Sequence, residues 1–262
     1  CIIMSFATAE TFGNVKRKDR HMDIRIDTHS HTLASGHAYN TLREMAAMAA
    51  EKGLEGLALT EHAPEMPGSC QLYYFQNLRV VPRTLYNIHL LLGTELNIMD
   101  REGNVDLPQG VIRDLDIAIA SLHTPCFKDE RTQENVMQAY LSVMENPYID
   151  IIGHPDDGRF PADYEVLARE AKRTGTLLEV NNSSLRPDGY RANTTENCLK
   201  MLEACKKEGT MVVFGSDAHF DLDIAEYPFA EELVRKTAFP EELVANTSYG
   251  KLISLLKHRK KV

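Results

Sequence analysis

Seven short apolar runs alternate with amphipathic segments from residue 23 onward, and this alternation restricts the fold more than any other feature. The runs are IRID (24–27), GLALT (56–60), IHLLLGTELNI (88–98), LDIAIASL (115–122), IDIIG (149–153), TLLEVNN (176–182) and TMVVFGS (210–216). Most are apolar on both faces, as parallel strands are when helices cover one side and a packed interior fills the other. Between them, Leu42, Met45, Ala46 and Ala49 form one stripe of a helix. Thr41 and Glu44 open that helix as a capping box, and Gly53 ends it. Similar helices read over 132–145, 162–174 and 195–208, while LNIMDREGNVDLP predicts a small hairpin insertion around its Gly-bearing turn. Strands alternating with helices across 262 residues predict one α/β domain, most simply a barrel.

A hydrophobic content of 43% with 26% charged residues provides for a large core. The net charge of −9 argues against a nucleic-acid backbone or an anionic membrane as the main partner, but not against a small anionic substrate. Five scattered cysteines without a C-x-x-C pair suit reduced thiols and a cytoplasmic setting. No apolar stretch reaches the length of a membrane span. Residues 1–21 read as an N-terminal extension outside the fold, with the barrel domain over 22–262 and a natural start at Met22.

The chemistry lies where the runs end. The first ends in His29 and His31, with His37 in the following loop; the second in His62; the third carries Glu95. The fourth ends in His123, the fifth in His154, and the seventh in Asp217 and His219, whereas the sixth ends in EVNNSS without a strong ligand. In a parallel barrel the carboxyl ends of all strands meet at one rim, where active sites lie. Residues at i and i+2 of a strand share a face, so His29 pairs with His31 and Asp217 with His219. A lone H-x-H carries little information, and His123, His154 or Glu95 alone would read as an ordinary polar residue. Their convergence on one rim changes that reading. Imidazole and carboxylate without thiolate point to Zn2+, Mn2+ or Fe2+. Nine such groups exceed what one ion needs, so two or three ions are expected, with Glu95 able to bridge two of them.

The order D-x-H-x-H, H, T-x-H, E, H, H-P, D-x-H resembles the polymerase-and-histidinol-phosphatase (PHP) family of metal-dependent hydrolases. Together with SGHAYNT, NLRVVPR, EVNNSS and GSDAH, it is similar to the YcdX-type phosphatase branch over residues 23–257. The resemblance implies a distorted (β/α)7 barrel, a single domain with a trinuclear site at the C-terminal rim, and three Zn2+ per chain, with Mn2+ or Fe2+ as alternatives. It assigns His29, His31, Glu95 and Asp217 to the first ion, and Glu95, His123 and His154 to the second. His37, His62 and His219 go to the third. One departure is TEH at 60–62 where the family has T-D-H, which bears on ligand orientation through Glu61.

The implied activity is a phosphatase acting on small phosphate monoesters. Two cations sharing a water lower its pKa enough to supply hydroxide at neutral pH for in-line attack on phosphorus. Asp27 is a candidate partner for a ligand. Among Arg79, Arg83, Arg159, Arg186 and Arg191, the first and third are favoured as guanidinium donors to phosphate because they follow the His62 and His154 motifs. Asn182 and Ser183 are candidates to line the site. The expected partner is a small phosphorylated molecule, with a homo-oligomer left open. Three rival readings remain: an amidohydrolase-type C–N hydrolase, disfavoured because His123 stands where a bridging lysine would be expected; a phosphodiesterase or nuclease, disfavoured by the acidic charge; and a regulatory metal-binding module, disfavoured by the full ligand set.

Overall fold

A computed structural model describes residues 22–257. The extension expected over 1–21 and the last five residues lie outside that range. The strands are β1 (Ile26–Asp27), β2 (Gly56–His62), β3 (Thr84–Leu85), β4 (Ile88–Asn97), β5 (Ala118–Ser121), β6 (Ile151–Ile152), β7 (Leu177–Asn181) and β8 (Val212–Gly215). Seven of them pair in parallel in the order β1-β2-β4-β5-β6-β7-β8. The helices are α1 (Leu42–Glu51), α2 (Leu72–Asn77), α3 (Gln109–Arg113), α4 (Gln133–Met144), α5 (Tyr164–Thr174), α6 (Thr194–Glu208), α7 (Pro228–Thr237) and α8 (Tyr249–Leu255). The result is a nearly closed barrel, a distorted (β/α)7 arrangement.

The short strand β3 is a departure from the sequence reading. β3 runs antiparallel to β4 across a two-residue turn in which Tyr86 (φ 51°) and Asn87 (φ 63°) are both left-handed. That conformation normally advertises itself through Asn-Gly or Asp-Gly, which Tyr-Asn does not. The expected hairpin insertion after β4 is present in reduced form. A single antiparallel bridge joins Ile98 to Val105, and Gly103 (φ 78°) supplies the turn. α1 begins with the expected Thr41–Glu44 capping box.

β1 and β8 approach each other but form no regular ladder. A bridge between Ser30 and Ala218 joins them near the rim. Further down, Asn246 fills the seam: its Nδ2 donates to Ile26 O (2.7 Å) and Phe214 O (2.8 Å), and its Oδ1 accepts from Phe214 N (3.1 Å). This side chain thus satisfies backbone groups of Ile26 and Phe214 that a closed sheet would have paired.

Two apolar layers hold the fold. The larger lies between sheet and helices. The smaller fills the barrel floor with residues such as Leu91, Ile117, Ile119, Ile151 and Leu177, capped from below by Leu252 and Leu256. Each such fully buried aliphatic chain contributes about 1.5–3 kcal/mol relative to exposure. The inward series then changes character along each strand: Leu91–Gly93–Glu95–Asn97 on β4, and Leu177–Glu179–Asn181 on β7. With a side-chain period of two, the same face is apolar at the floor and polar at the rim. The four cysteines among the described residues are free, and no described helix is long and apolar enough to cross a membrane.

Candidate metal centre

Glu95, near the end of β4, sits at the middle of the rim. Its Oε1 lies 3.2 Å from His123 Nε2 and 2.9 Å from His154 Nε2. Its Oε2 lies 2.7 Å from His62 Nδ1, 3.3 Å from His29 Nε2 and 3.5 Å from His31 Nε2. Asp217 closes the other side of the H-x-H pair, with Oδ1 3.3 Å from His31 Nε2 and 3.7 Å from His29 Nε2. The ring of His37 stacks on those of His62 (4.9 Å) and His219 (4.8 Å). The nine expected side chains therefore meet at one rim, with His37, the most exposed of them, joined through ring contacts alone. His62 is less cleanly separated than the expected grouping: its ligand atom lies within 4.8 Å of those of Glu95 and His123, and equally of those of His31 and His219.

The side chains behind these donors decide which nitrogen faces inward. His29 Nδ1 donates to Glu179 Oε1 (2.7 Å), and His123 Nδ1 to Asn97 Oδ1 (2.7 Å). His31 Nδ1 lies 3.1 Å from Ser35 Oγ, whose own proton goes to Glu61 Oε2 (2.7 Å), so the hydroxyl accepts from the imidazole. Each of these three rings is thereby held with its Nε2 lone pair toward the centre. The Nε2 atoms of His29 and His31 are only 3.1 Å apart. His62 Nδ1 and Glu95 Oε2 are buried without a hydrogen-bond partner of acceptable geometry. Buried polar atoms rarely stay unpaired, and an imidazole–carboxylate set of this kind fits a transition-metal ion.

The local field agrees. Burial, with His62 and His219 nearby, pushes the His31 pKa well below the ordinary imidazole range; the same causes bring His37 down to about 4. Burial also lowers His123. Burial works to raise Glu95, but His29, His123 and His62 outweigh it and hold the carboxyl well below the usual range. Asp217 is likewise held low against burial by His29, His31 and Arg191. At His29 burial is overcome by Glu179, Glu95 and Asp217, which raise its pKa well above normal. Three carboxylates around one imidazole mark a place that demands positive charge.

Strain accompanies this geometry. Asp217 (φ 56°) and His154 (φ 29°) have left-handed backbones, a conformation costing about 1–3 kcal/mol each for such residues. Asp217 N is held by His29 O (2.9 Å), and His154 N by Glu179 Oε2 (2.7 Å). Glu179 fits only because position 215 is glycine. A Cβ there would collide with Glu179 Oε1 and come within 2.8 Å of His29 Cβ.

The other expected residues divide. Arg159 lines the cavity of about 130 Å³ above the donors, bound through Nε and Nη2 to Asp157. Arg79 does not reach the rim. Leu78 anchors the turn after α2 in the core, which leaves Arg79 exposed in a separate groove with Phe75 and Pro108. Asp27 faces the seam, where it accepts from Ser216 N (3.0 Å), Ala225 N (2.9 Å) and His29 N (3.4 Å); burial raises its pKa. It holds backbone and does not open into the cavity. Arg83 pairs with Asp116 (2.6 Å) and Arg186 with Asp188 (3.4 Å). Asn182 accepts from Phe229 N and Ala230 N at the start of α7, and Ser183 O accepts from Arg186 N in the loop after β7. Glu61 fixes the turn behind His31 by accepting from Thr32 Oγ1 (2.6 Å), Thr32 N (3.0 Å) and Ser35 Oγ.

Three contributors went unnoticed in the sequence: Glu179, Asn97 and Ser35. The sixth strand end, read there as lacking a strong ligand, supplies the carboxylate that orients His29. Arg191, left among the lesser candidates, is the most deeply set of the arginines considered, with a side chain 7% exposed and Nη2 3.1 Å from Asp217 Oδ2.

A nearly closed barrel with imidazole and carboxylate donors from six strand ends defines a fold built around one rim. The chain belongs to the PHP domain family, whose sequence profile matches residues 27–186. It is 42% identical over 240 residues to a probable phosphatase of Thermoanaerobacter sp. (strain X514), covering 92% of this chain and 97% of that one. It is 43% identical over 241 residues to a probable phosphatase of Clostridium novyi (strain NT), covering 92% and 98%. Its fold is similar to the crystal structure of histidinol phosphate phosphatase from Lactococcus lactis subsp. lactis Il1403 complexed with Zn, L-histidinol and phosphate. That match has a TM-score of 0.58 at 21% identity, covering 82% of this chain and 94% of the other.

Proposed function

We propose that the protein is a metal-dependent phosphatase that hydrolyses small phosphate monoesters at a trinuclear centre, with Zn2+ as cofactor and Mn2+ or Fe2+ as alternatives. The observation that carries this reading is the position of Glu95, with two imidazoles on one carboxylate oxygen and three on the other. His29, His31, Glu95 and Asp217 would hold one ion, Glu95, His123 and His154 a second, and His37, His62 and His219 a third. Bound there, the ions supply Lewis acidity toward the phosphoryl oxygens and lower the pKa of a bound water.

The protein's own groups do the rest. Glu179, Ser35 and Asn97 orient the imidazoles. Arg159, in the cavity wall, and Arg191, fixed by Asp217, present guanidinium donors to non-bridging phosphoryl oxygens. A cavity of about 130 Å³ accommodates a phosphoryl group more readily than a nucleic-acid strand, which favours monoesters over polymeric diesters. The names of the curated relatives support the same chemistry. The test is a screen of phosphate monoesters, phosphodiesters and amides with metal-replete protein, alongside elemental analysis. Hydrolysis of monoesters, lost on chelation and in His31→Ala, with close to three metal ions per chain, is expected. A preference for amides or diesters, or full activity without metal, overturns the proposal.

A further inference from the structure

The cavity above the donors has a mixed lining. Its floor is polar, formed by residues such as His62, His123, Asp217 and His219. Its more exposed lining includes Met66, Pro125 and Tyr190, contributed by the loops after β2, β5 and β7. At about 130 Å³ the space suits a phosphoryl group but leaves little for the alcohol esterified to it. That alcohol must pass the exposed lining on its way to solvent.

Tyr190 is the one phenol among the described residues of this lining. It is 74% exposed, yet the guanidinium carbons of Arg159 and Arg191 lie 4.8 and 5.5 Å from its ring centroid. That exposure means that the two guanidiniums leave much of the ring uncovered. Cation–π attraction to the two guanidiniums places the ring where they hold phosphate. Because Tyr190 lines the same cavity, the ester substituent of a phosphoryl group held by Arg159 and Arg191 passes its exposed ring on the way to solvent. Aromatic faces bind flat apolar groups better than hydroxyl-rich ones, which must give up water to lie there.

Building on the phosphatase reading, we infer that Tyr190 selects phosphate monoesters whose alcohol carries a flat, apolar or aromatic group close to phosphorus, over esters of polyhydroxylated alcohols. The test compares benzyl phosphate with glycerol 3-phosphate, both esters of primary alcohols, in the zinc-loaded full chain and its Tyr190→Ala and Tyr190→Phe variants. Binding of benzylphosphonate and methylphosphonate by calorimetry gives a readout independent of turnover. The wild type should prefer the benzyl compounds. Tyr190→Ala should lower kcat/KM for benzyl phosphate about five- to tenfold, mainly through KM, and weaken benzylphosphonate similarly, while glycerol 3-phosphate and methylphosphonate change less than about twofold. Tyr190→Phe should behave as wild type. An equal loss on both substrates would mean that Tyr190 only positions the arginines, and an unchanged ratio would mean that it contributes no selectivity. Either outcome overturns the inference and leaves the phosphatase reading standing. Absence of hydrolysis of any phosphate ester overturns both.

Discussion

Replacing Glu179 by Gln changes one atom in the side chain and should disturb the whole centre. Glu179 Oε1 accepts from His29 Nδ1 at 2.7 Å, while Oε2 accepts from His154 N at 2.7 Å and from Asn181 Nδ2 at 3.0 Å. A glutamine has one accepting oxygen. If that oxygen faces His29, its NH2 meets the His154 N–H and the Asn181 amide; if it is turned round, its NH2 meets His29 Nδ1–H. Either way at least one buried donor faces another donor, costing about 1–3 kcal/mol. The lost charge also removes the foremost cause of the raised His29 pKa and reduces that ring's basicity as a ligand. Loss of such an orienting partner typically lowers metal affinity or activity by about 10- to 100-fold. Competition with a chromophoric chelator would measure Zn2+ affinity, and kcat/KM on a monoester would be read at saturating metal. If Glu179→Gln matched wild type within about twofold in both, the orienting role of Glu179 would be wrong.

Gly215→Ala should act through the same carboxylate. Its Cβ would overlap Glu179 Oε1, so thermal unfolding should show a loss of about 1–3 kcal/mol together with weaker Zn2+ binding, and an unshifted melting curve would refute the packing argument. Arg79→Ala should leave kcat/KM within about twofold, whereas Arg191→Ala, which removes a charge-assisted donor, should lower it about 10- to 100-fold; steady-state kinetics that reversed the two would return Arg79 to the site. Burial, with Glu61 beside Cys70 and Asp106 beside Cys126, pushes both thiols up to about 12. A raised thiol pKa keeps the neutral form as pH rises, so at pH 8 only about one part in ten thousand would be thiolate. Alkylation of Cys70 and Cys126 by iodoacetamide, followed by mass spectrometry, should therefore be slow in the folded protein and fast after denaturation.

What could be read in the sequence followed the strand period. Glu95 was legible because an acidic residue late in an apolar run has nowhere to point but inward or toward the rim, and the i, i+2 rule set His29 beside His31. The same rule could have found Glu179, two residues before Asn181 and two after Leu177, had the inward parity of that run been assigned. An acid flanked by Leu178 and Val180 instead resembles the outward position of an alternating strand, and only packing against Gly215 reveals the opposite. Of the two favoured arginines, Arg159 lines the cavity and Arg79 does not. Arg79 lies close in sequence to the His62 motif, but Leu78 turns the chain into the core and its neighbour out to solvent. Arg191 lies 10 residues beyond Asn181 and meets Asp217 across 26 residues, after the loop has folded back over the rim. The seam was less accessible still, because Asn246 pairs with Ile26 across 220 residues and no local pattern marks it. Strand-end donors are constrained by their own strand, whereas the groups that orient them answer to a neighbouring strand or a returning loop. Ligand types were therefore legible from local spacing, and ligand support had to wait for the tertiary structure.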